Sequence, residues 1–221
     1  MGAAIGQIIA NAVGVAISPI PIIAVILMLL SRSAARNSVS FVIGWLVGLA
    51  AVTVVVLAVG IESSSDDGAD TGGIVQLVVG ALFLGLAAKQ WRSRPRVGTE
   101  PEMPGWMAAI DSLGAAKAFA LGLVVTVPNP KNAGLTIAAA VAIAGADLGA
   151  GQEAVVVAVY ILLASVSVIA PVVFYLATGD RAAPALDATK EWLTANSATV
   201  MTVLFTVLGA KVLGNGVAGV F

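Results

Sequence analysis

The 221-residue chain has no cysteine and no histidine. Without cysteine it can form no disulfide, thiolate nucleophile or thiolate metal site. Without histidine it lacks the commonest metal ligand and the one side chain whose unperturbed titration falls near neutral pH. Charge is scarce too: Asp, Glu, Lys and Arg make up 10% of residues, with a formal net charge of −1. Soluble domains carry about 25%. This balance offers no basic face for nucleic acid. The chain contains no Gly-x-x-x-x-Gly-Lys-Ser/Thr run for nucleotide phosphates, and no cofactor is expected. Residues 1–11 contain no Lys or Arg. A secretory signal wants a positive start, so the first apolar segment is read as retained.

Apolar residues fill the space that charge leaves. They reach 59%, and mean hydropathy is +1.03. They fall in continuous runs at about 5–30, 39–61, 73–91, 118–144, 154–178 and 197–221. Only helices or closed barrels satisfy their backbone in lipid, and continuous runs favour helices over alternating barrel strands. The expected fold is an all-α polytopic membrane protein with six transmembrane helices.

The loops give an orientation. Arg32 and Arg36 occupy the first connection, and Lys89, Arg92, Arg94, Arg96 and Lys117 flank the third. Arg181 and Lys190 occupy the fifth. The second connection, with Glu62, Asp66, Asp67 and Asp70, and the fourth, with Asp147 and Glu153, contain no base. Nine of the eleven bases thus share one side, Lys131 and Lys211 being the others. The positive-inside rule makes that side cytoplasmic and puts both termini outside the plasma membrane. Trp91, Trp106 and Trp192 fall near the same boundary, where interfacial tryptophan belongs. Residues 103–110 read either as a short interfacial helix or as a plain loop.

Two short matches suggest duplication. Ser18-Pro19-Ile20-Pro21 in the first span is echoed by Val127-Pro128-Asn129-Pro130 in the fourth. Leu82-Phe83, followed four residues later by Ala88-Lys89, is echoed by Leu204-Phe205 and Ala210-Lys211. Spans one and four then pair, as do three and six, with opposite directions. The expected organisation is a three-helix repeat over 1–97, a cytoplasmic connection over 98–116, and an inverted three-helix repeat over 117–221. Transporters use such repeats for alternating access.

Two prolines two residues apart remove backbone donors and clash with carbonyls one turn back. Helices 1 and 4 should therefore break at Pro19/Pro21 and Pro128/Pro130. Breaks at matching positions of two halves point to a transporter binding site; simple kinking for packing is the plainer alternative. Around the second break stand Thr126, Asn129, Lys131 and Asn132. Lys131 lies about 14 residues from either end of its apolar run, too deep to snorkel easily. A lysine there costs at least about 2.5–3.5 kcal/mol. It can bind an anionic head group, carry a proton, or satisfy carbonyls freed by the first span's break. Gln7, Asn11 and Ser18 share one helical face, and so do Thr199, Thr202 and Thr206; each stripe suits a polar route or interhelical hydrogen bonds. Gly44 and Gly48 allow close packing within the chain or in a homodimer. No acid lies deep in any span.

These residues resemble the LysE superfamily of small exporters. The similarity rests on the first-span Ser18-Pro19-Ile20-Pro21, the six-span pattern and the run Val127-Pro128-Asn129-Pro130-Lys131-Asn132. Within the superfamily the chain looks most like the glycopeptidolipid- and sulfolipid-addressing (GAP/Sap) proteins of actinobacteria. The resemblance implies two three-helix repeats around a central site, and a part in moving cell-envelope glycolipids alongside lipid-export machinery.

The expected function is an inner-membrane secondary transporter exporting an envelope glycolipid, its precursor or another amphipathic or anionic metabolite. Asn129, Lys131 and Asn132 would face Ser18 and Asn11 across the site. Two alternatives stand beside it: a LysE-type exporter of small amino acids or ions, and a non-transporting accessory subunit of a lipid-export complex. Catalysis is not expected, because His, Cys and deep acids are missing. The partners expected are a lipid or small-molecule substrate, membrane lipids, the export machinery and a second copy of the chain.

Overall fold

A computed structural model describes residues 2–59, 69–94, 110, 113–127 and 129–220. It is all-helical among those residues. The helices are α1 (Gly2–Ala16), α2 (Pro19–Leu29), α3 (Ala34–Val59), α4 (Ala69–Arg92), α5 (Ala115–Thr126), α6 (Pro130–Ala144), α7 (Ala150–Thr178) and α8 (Ala183–Val220). Two are long and apolar enough to cross a membrane, α3 and α7, the latter within an apolar stretch that runs on to Ala218. The pair α1–α2 makes a third span if taken together. At 1.5 Å per residue, α3 and α7 extend about 39 and 44 Å, beyond the ~30 Å hydrocarbon core.

The prolines act where the sequence places them. Pro19 and Pro21 open α2, where a missing N–H costs least. Ser18 before them is extended, and α1 and α2 meet at 55°. Pro130 opens α6, while α5 ends at Thr126. Asn129 caps α6: its side chain accepts from the backbone N–H groups of Lys131 and Asn132. Pro171 remains inside α7. Gly179, at φ +60°, ends that helix in the left-handed region glycine tolerates.

One expected loop is instead mostly helical. Sequence alone assigns the region around Arg181 and Lys190 to a connection before a span at about 197. A single 3-10 turn, Gly179–Ala182, makes that connection, and α8 starts at Ala183. Asp187 and Lys190 pair one turn apart on its surface. Local charge thus marks a solvent-facing helical turn as readily as a loop.

The chain forms two compact units. Residues 1–63 with 102–193 make the first, and residues 64–101 with 194–221 the second. In the first unit α3 packs against α5 and α7 against α1. Further contacts join α3 to α6, α2 to α7, α2 to α3, α6 to α7, α1 to α6, and α3 to α7, with a slighter one between α2 and α5. The α3–α5 contact is close because it is built on glycine. A Cβ on Gly44 would run into the Phe119 carbonyl, and one on Gly122 into the Phe41 carbonyl. A Cβ on Gly48 would reach Thr126 at 3.0 Å. Within this chain, the Gly44/Gly48 pair is used for packing between its own helices. In the second unit Phe83 stacks on Phe205, with ring centroids 5.8 Å apart. Gly80 there faces Leu213, and Gly209 faces Leu84.

Residues 103–109 and Trp106, Glu62, Asp66 and Asp67 lie outside the described residues. Trp91 and Trp192 are half-exposed or more, and the Arg94 guanidinium lies 3.6 Å from the Trp91 ring centre. That suits an interfacial position.

Candidate functional site

The breaks leave backbone carbonyls without their helical donors. Pro21 has no N–H for the Ile17 carbonyl, and the Ser18 N–H turns to Ala16 instead of Gly14. The Gly14 and Ile17 oxygens are therefore orphaned deep in an apolar chain. Lys131 serves both. Its Nζ donates to Gly14 O at 2.8 Å and to Ile17 O at 3.1 Å. It also contacts Ser18 Oγ within hydrogen-bond distance. All three donors of the ammonium have acceptors.

Ser18 and Asn132 extend this knot. Ser18 Oγ donates to Asn132 Oδ1 at 2.9 Å. Asn132 Nδ2 reaches back to Val125 O at 3.3 Å, near the end of α5. Ser167 of α7 closes the α1 terminus, donating to Ala16 O at 2.6 Å. Lys131 is 6% exposed, Ser18 3% and Asn132 0%. Polar groups buried this far must be paired, and these are. The knot joins α1 and α2 to α5, α6 and α7.

The predicted site residues divide into three groups. Ser18, Lys131 and Asn132 come together as bonding partners. Pro19, Pro21 and Thr126 are buried close by in sequence. The prolines shape the break, and Thr126 donates to its own helix at Gly122 O, 2.8 Å away. Asn129 caps α6 through its side-chain oxygen, which accepts from the Lys131 and Asn132 backbone N–H groups and so holds the helix start. Pro130 begins that helix, and Pro128 lies outside the described residues. Asn11 is only half-buried and, among the described residues, makes no side-chain bond to the knot. Gln7 is exposed, so the stripe of Gln7, Asn11 and Ser18 is buried only at its Ser18 end. The Thr199, Thr202 and Thr206 stripe also does not line a buried route. Thr199 and Thr206 are exposed, while Thr202 and Thr206 donate to their own helix.

Several neighbours escaped sequence reasoning. Tyr160 Oη donates to Thr136 Oγ1 at 2.9 Å, and Thr136 donates to Asn132 O at 2.7 Å. That chain ties α7 to the first turn of α6. Trp45 is fully buried in α3, and its Nε1 donates to Ser165 of α7 at 3.0 Å. Ser165 and Ser167, two polar residues mid-way along an apolar run, were the available signal. Trp45 and Tyr160 were another, since each has one polar atom that needs a partner when buried.

Searches of curated proteins and of solved structures give no match. A family comparison does. The sulfolipid-1-addressing protein family, Sap, matches residues 8–218, nearly the whole chain and both helix breaks. The chain therefore belongs to the Sap, sulfolipid-1-addressing, protein family.

Proposed function

We propose that this Sap-family protein is a secondary transporter in the plasma membrane. It exports an envelope glycolipid, its precursor or a related anionic amphiphile by alternating access. The observation that carries this reading is the knot, in which Lys131 of one broken helix holds the orphaned carbonyls of the other. Two broken helices meeting through polar groups is how transporters build a central site. Six spans in two inverted repeats are part of the proposal. The packing within the first unit supports them. Exchange α1 with α5, α2 with α6, and α3 with α7, and every helix contact there maps onto another: α3–α5 onto α7–α1, α3–α6 onto α7–α2, α2–α3 onto α6–α7. In the second unit the stacked pair Phe83 and Phe205 are residues related by the same repeat.

The knot also weighs on the alternatives. Lys131 does stand beside the Ser18 hydroxyl, but its Nζ also donates to two backbone carbonyls and the hydroxyl donates to Asn132, a mutual pairing that disfavours catalysis. The same full satisfaction favours one second reading, an accessory subunit that needs Lys131 only for stability. The experiment is lipid flux in proteoliposomes holding the purified protein, beside lipidomics of cells with and without it. A transporter moves an envelope lipid in both settings. No flux of any envelope lipid, together with an intact lipid profile in cells lacking the protein, refutes transport.

A further inference from the structure

A second polar feature lies away from the knot, on the proposed cytoplasmic side. Residues 31–36 turn from α2 into α3 and, with Tyr175 and Asp180, enclose an open recess of about 610 Å³. That is the size of small-molecule sites. Arg32 and Arg36 line it together with Ser31 and Ser33. Among the described residues neither arginine has a carboxylate within ion-pair distance. Arg36 reaches only Ser33 Oγ, at 3.5 Å. Asp180, the one acid in the lining, faces the Tyr175 hydroxyl at 3.5 Å. Two unpaired guanidiniums against one carboxylate leave the recess net positive. Next to it in sequence, a second recess of about 530 Å³ is lined by Leu27, Leu30, Ala183 and Pro184 together with the ion pair of Asp187 and Lys190. Leu30 adjoins Ser31, and Ala183 follows Asp180 by three residues. A cationic hollow thus borders one in which apolar side chains stand beside a charge-balanced ion pair.

We propose that the Arg32/Arg36 recess binds the tetrahedral oxyanion of a lipid head group, a sulfate or phosphate ester. The lipid chain would follow Leu27 and Leu30. Guanidinium forks match such oxyanions with paired N–H donors, which a lysine point charge does not. Leu27 and Leu30 in the neighbouring recess, whose Asp187 and Lys190 offset each other, favour an amphiphile over a free anion. This assignment rests on the lipid-transport reading and gives it a place where substrate is gathered before it reaches the knot.

The test uses the full-length protein in phosphatidylcholine nanodiscs, with bound lipid counted by native mass spectrometry. The probes are a sulfated galactolipid, phosphatidic acid and, as neutral control, diacylglycerol. Wild type should take up one or both anionic lipids saturably and ignore diacylglycerol. R32Q/R36Q should weaken that binding at least about tenfold. R32K/R36K, which keeps the charge but not the fork, should fall between. R92Q/R94Q, which removes equal charge from a different connection, should stay within about twofold of wild type. Equal loss in R32Q/R36Q and R92Q/R94Q means diffuse attraction and overturns the site, as does no loss at all. Full competition by inorganic sulfate or phosphate also overturns it, in favour of a free-anion site. Flux separates the two proposals. Arginine-dependent binding without lipid flux refutes transport alone, whereas normal flux with binding unchanged in R32Q/R36Q refutes the recess alone.

Discussion

Replacing Lys131 with methionine should destabilise the protein while leaving its shape at the break nearly filled. Methionine matches the aliphatic stem of lysine but donates nothing. Gly14 O and Ile17 O lose their donor, while Ser18 keeps Asn132 as a partner. An unsatisfied buried carbonyl costs about 1–3 kcal/mol. Two of them, less about 1 kcal/mol regained by packing the thioether, give roughly 3 kcal/mol. For a chain of this size that lowers Tm by about 6–12 °C. Thermal unfolding in detergent micelles, followed by tryptophan fluorescence, measures it. Ser18→Ala is the milder companion, because it removes a hydroxyl that contacts both Lys131 and Asn132. Groups in one network couple, so the double variant should lose less than the sum of the singles, by about 0.5–3 kcal/mol. If Lys131→Met melts within about 1 °C of wild type, the carbonyls find other donors and the knot is not a clamp. Strict additivity with Ser18→Ala would refute the shared network even if both singles are destabilised.

Glycine substitutions should separate the close α3–α5 contact from open helix surface. Gly122→Ala and Gly44→Ala place a methyl against backbone carbonyls that cannot swing aside, so monodisperse yield in size-exclusion chromatography should fall, with a cost of about 1–3 kcal/mol or more. Gly85→Ala and Gly134→Ala meet nothing within 4 Å and should be neutral or gain about 0.5–1 kcal/mol in melting experiments. Trp45→Phe strips the donor from Ser165 and should cost about 1 kcal/mol; the same cost from Ser165→Ala, and no more from the pair, would confirm the bond in a double-mutant cycle. Topology can be tested without background labelling, because the chain has no cysteine. Single cysteines at Asp67 and Asp147 should react with an impermeant maleimide from outside, and those at Arg94 and Arg181 only after the membrane is opened; labelling of position 67 from the cytoplasmic side would refute the inverted arrangement.

Much of the site was legible because proline chemistry is local. Pro19, Pro21 and Pro130 fix where helices begin, whatever surrounds them. Lys131 stood out because no surface was near enough in sequence for its charge. What one sequence could not show is the direction in which each polar side chain turns. Asn129 and Asn132 flank Lys131 and look equivalent on paper, yet one caps its own helix and the other crosses to Ser18. The threonines at 202 and 206 share a face that suits a polar path, but a threonine in a helix can always bond its own carbonyl one turn back. Ser167 was missed for the opposite reason. Its role depends on the Ala16 carbonyl, 151 residues away, being left open by a break elsewhere. The helical turn that pairs Asp187 with Lys190 was read as loop because charge density, at the end of an apolar run, does not separate a wet helix from a connection.

The break between α1 and α2 and the lysine in the first turn of α6 explain each other. A helix interrupted within lipid exposes carbonyls that water cannot reach, and each costs about 1–3 kcal/mol if left alone. A lysine at that depth is costly for the converse reason, having donors with no acceptors. Each is tolerable only because the other is present, and the two lie 114 residues apart across the proposed repeat. Any motion that parts the two broken helices must therefore uncover both costs together, unless new oxygens replace those of Gly14 and Ile17 around the ammonium. This favours two well-separated arrangements over a continuum, as alternating access requires. It also yields a prediction: trapping α1 against α6 should block flux without unfolding the protein. Gly14 and Leu135 touch closely enough that a Cβ on residue 14 would come within 2.8 Å of the leucine side chain. A cysteine pair G14C/L135C in this cysteine-free chain should therefore oxidise readily, raise Tm, and abolish lipid flux until reduced. Full flux in the oxidised form would show that these helices never part, leaving Lys131 a static staple.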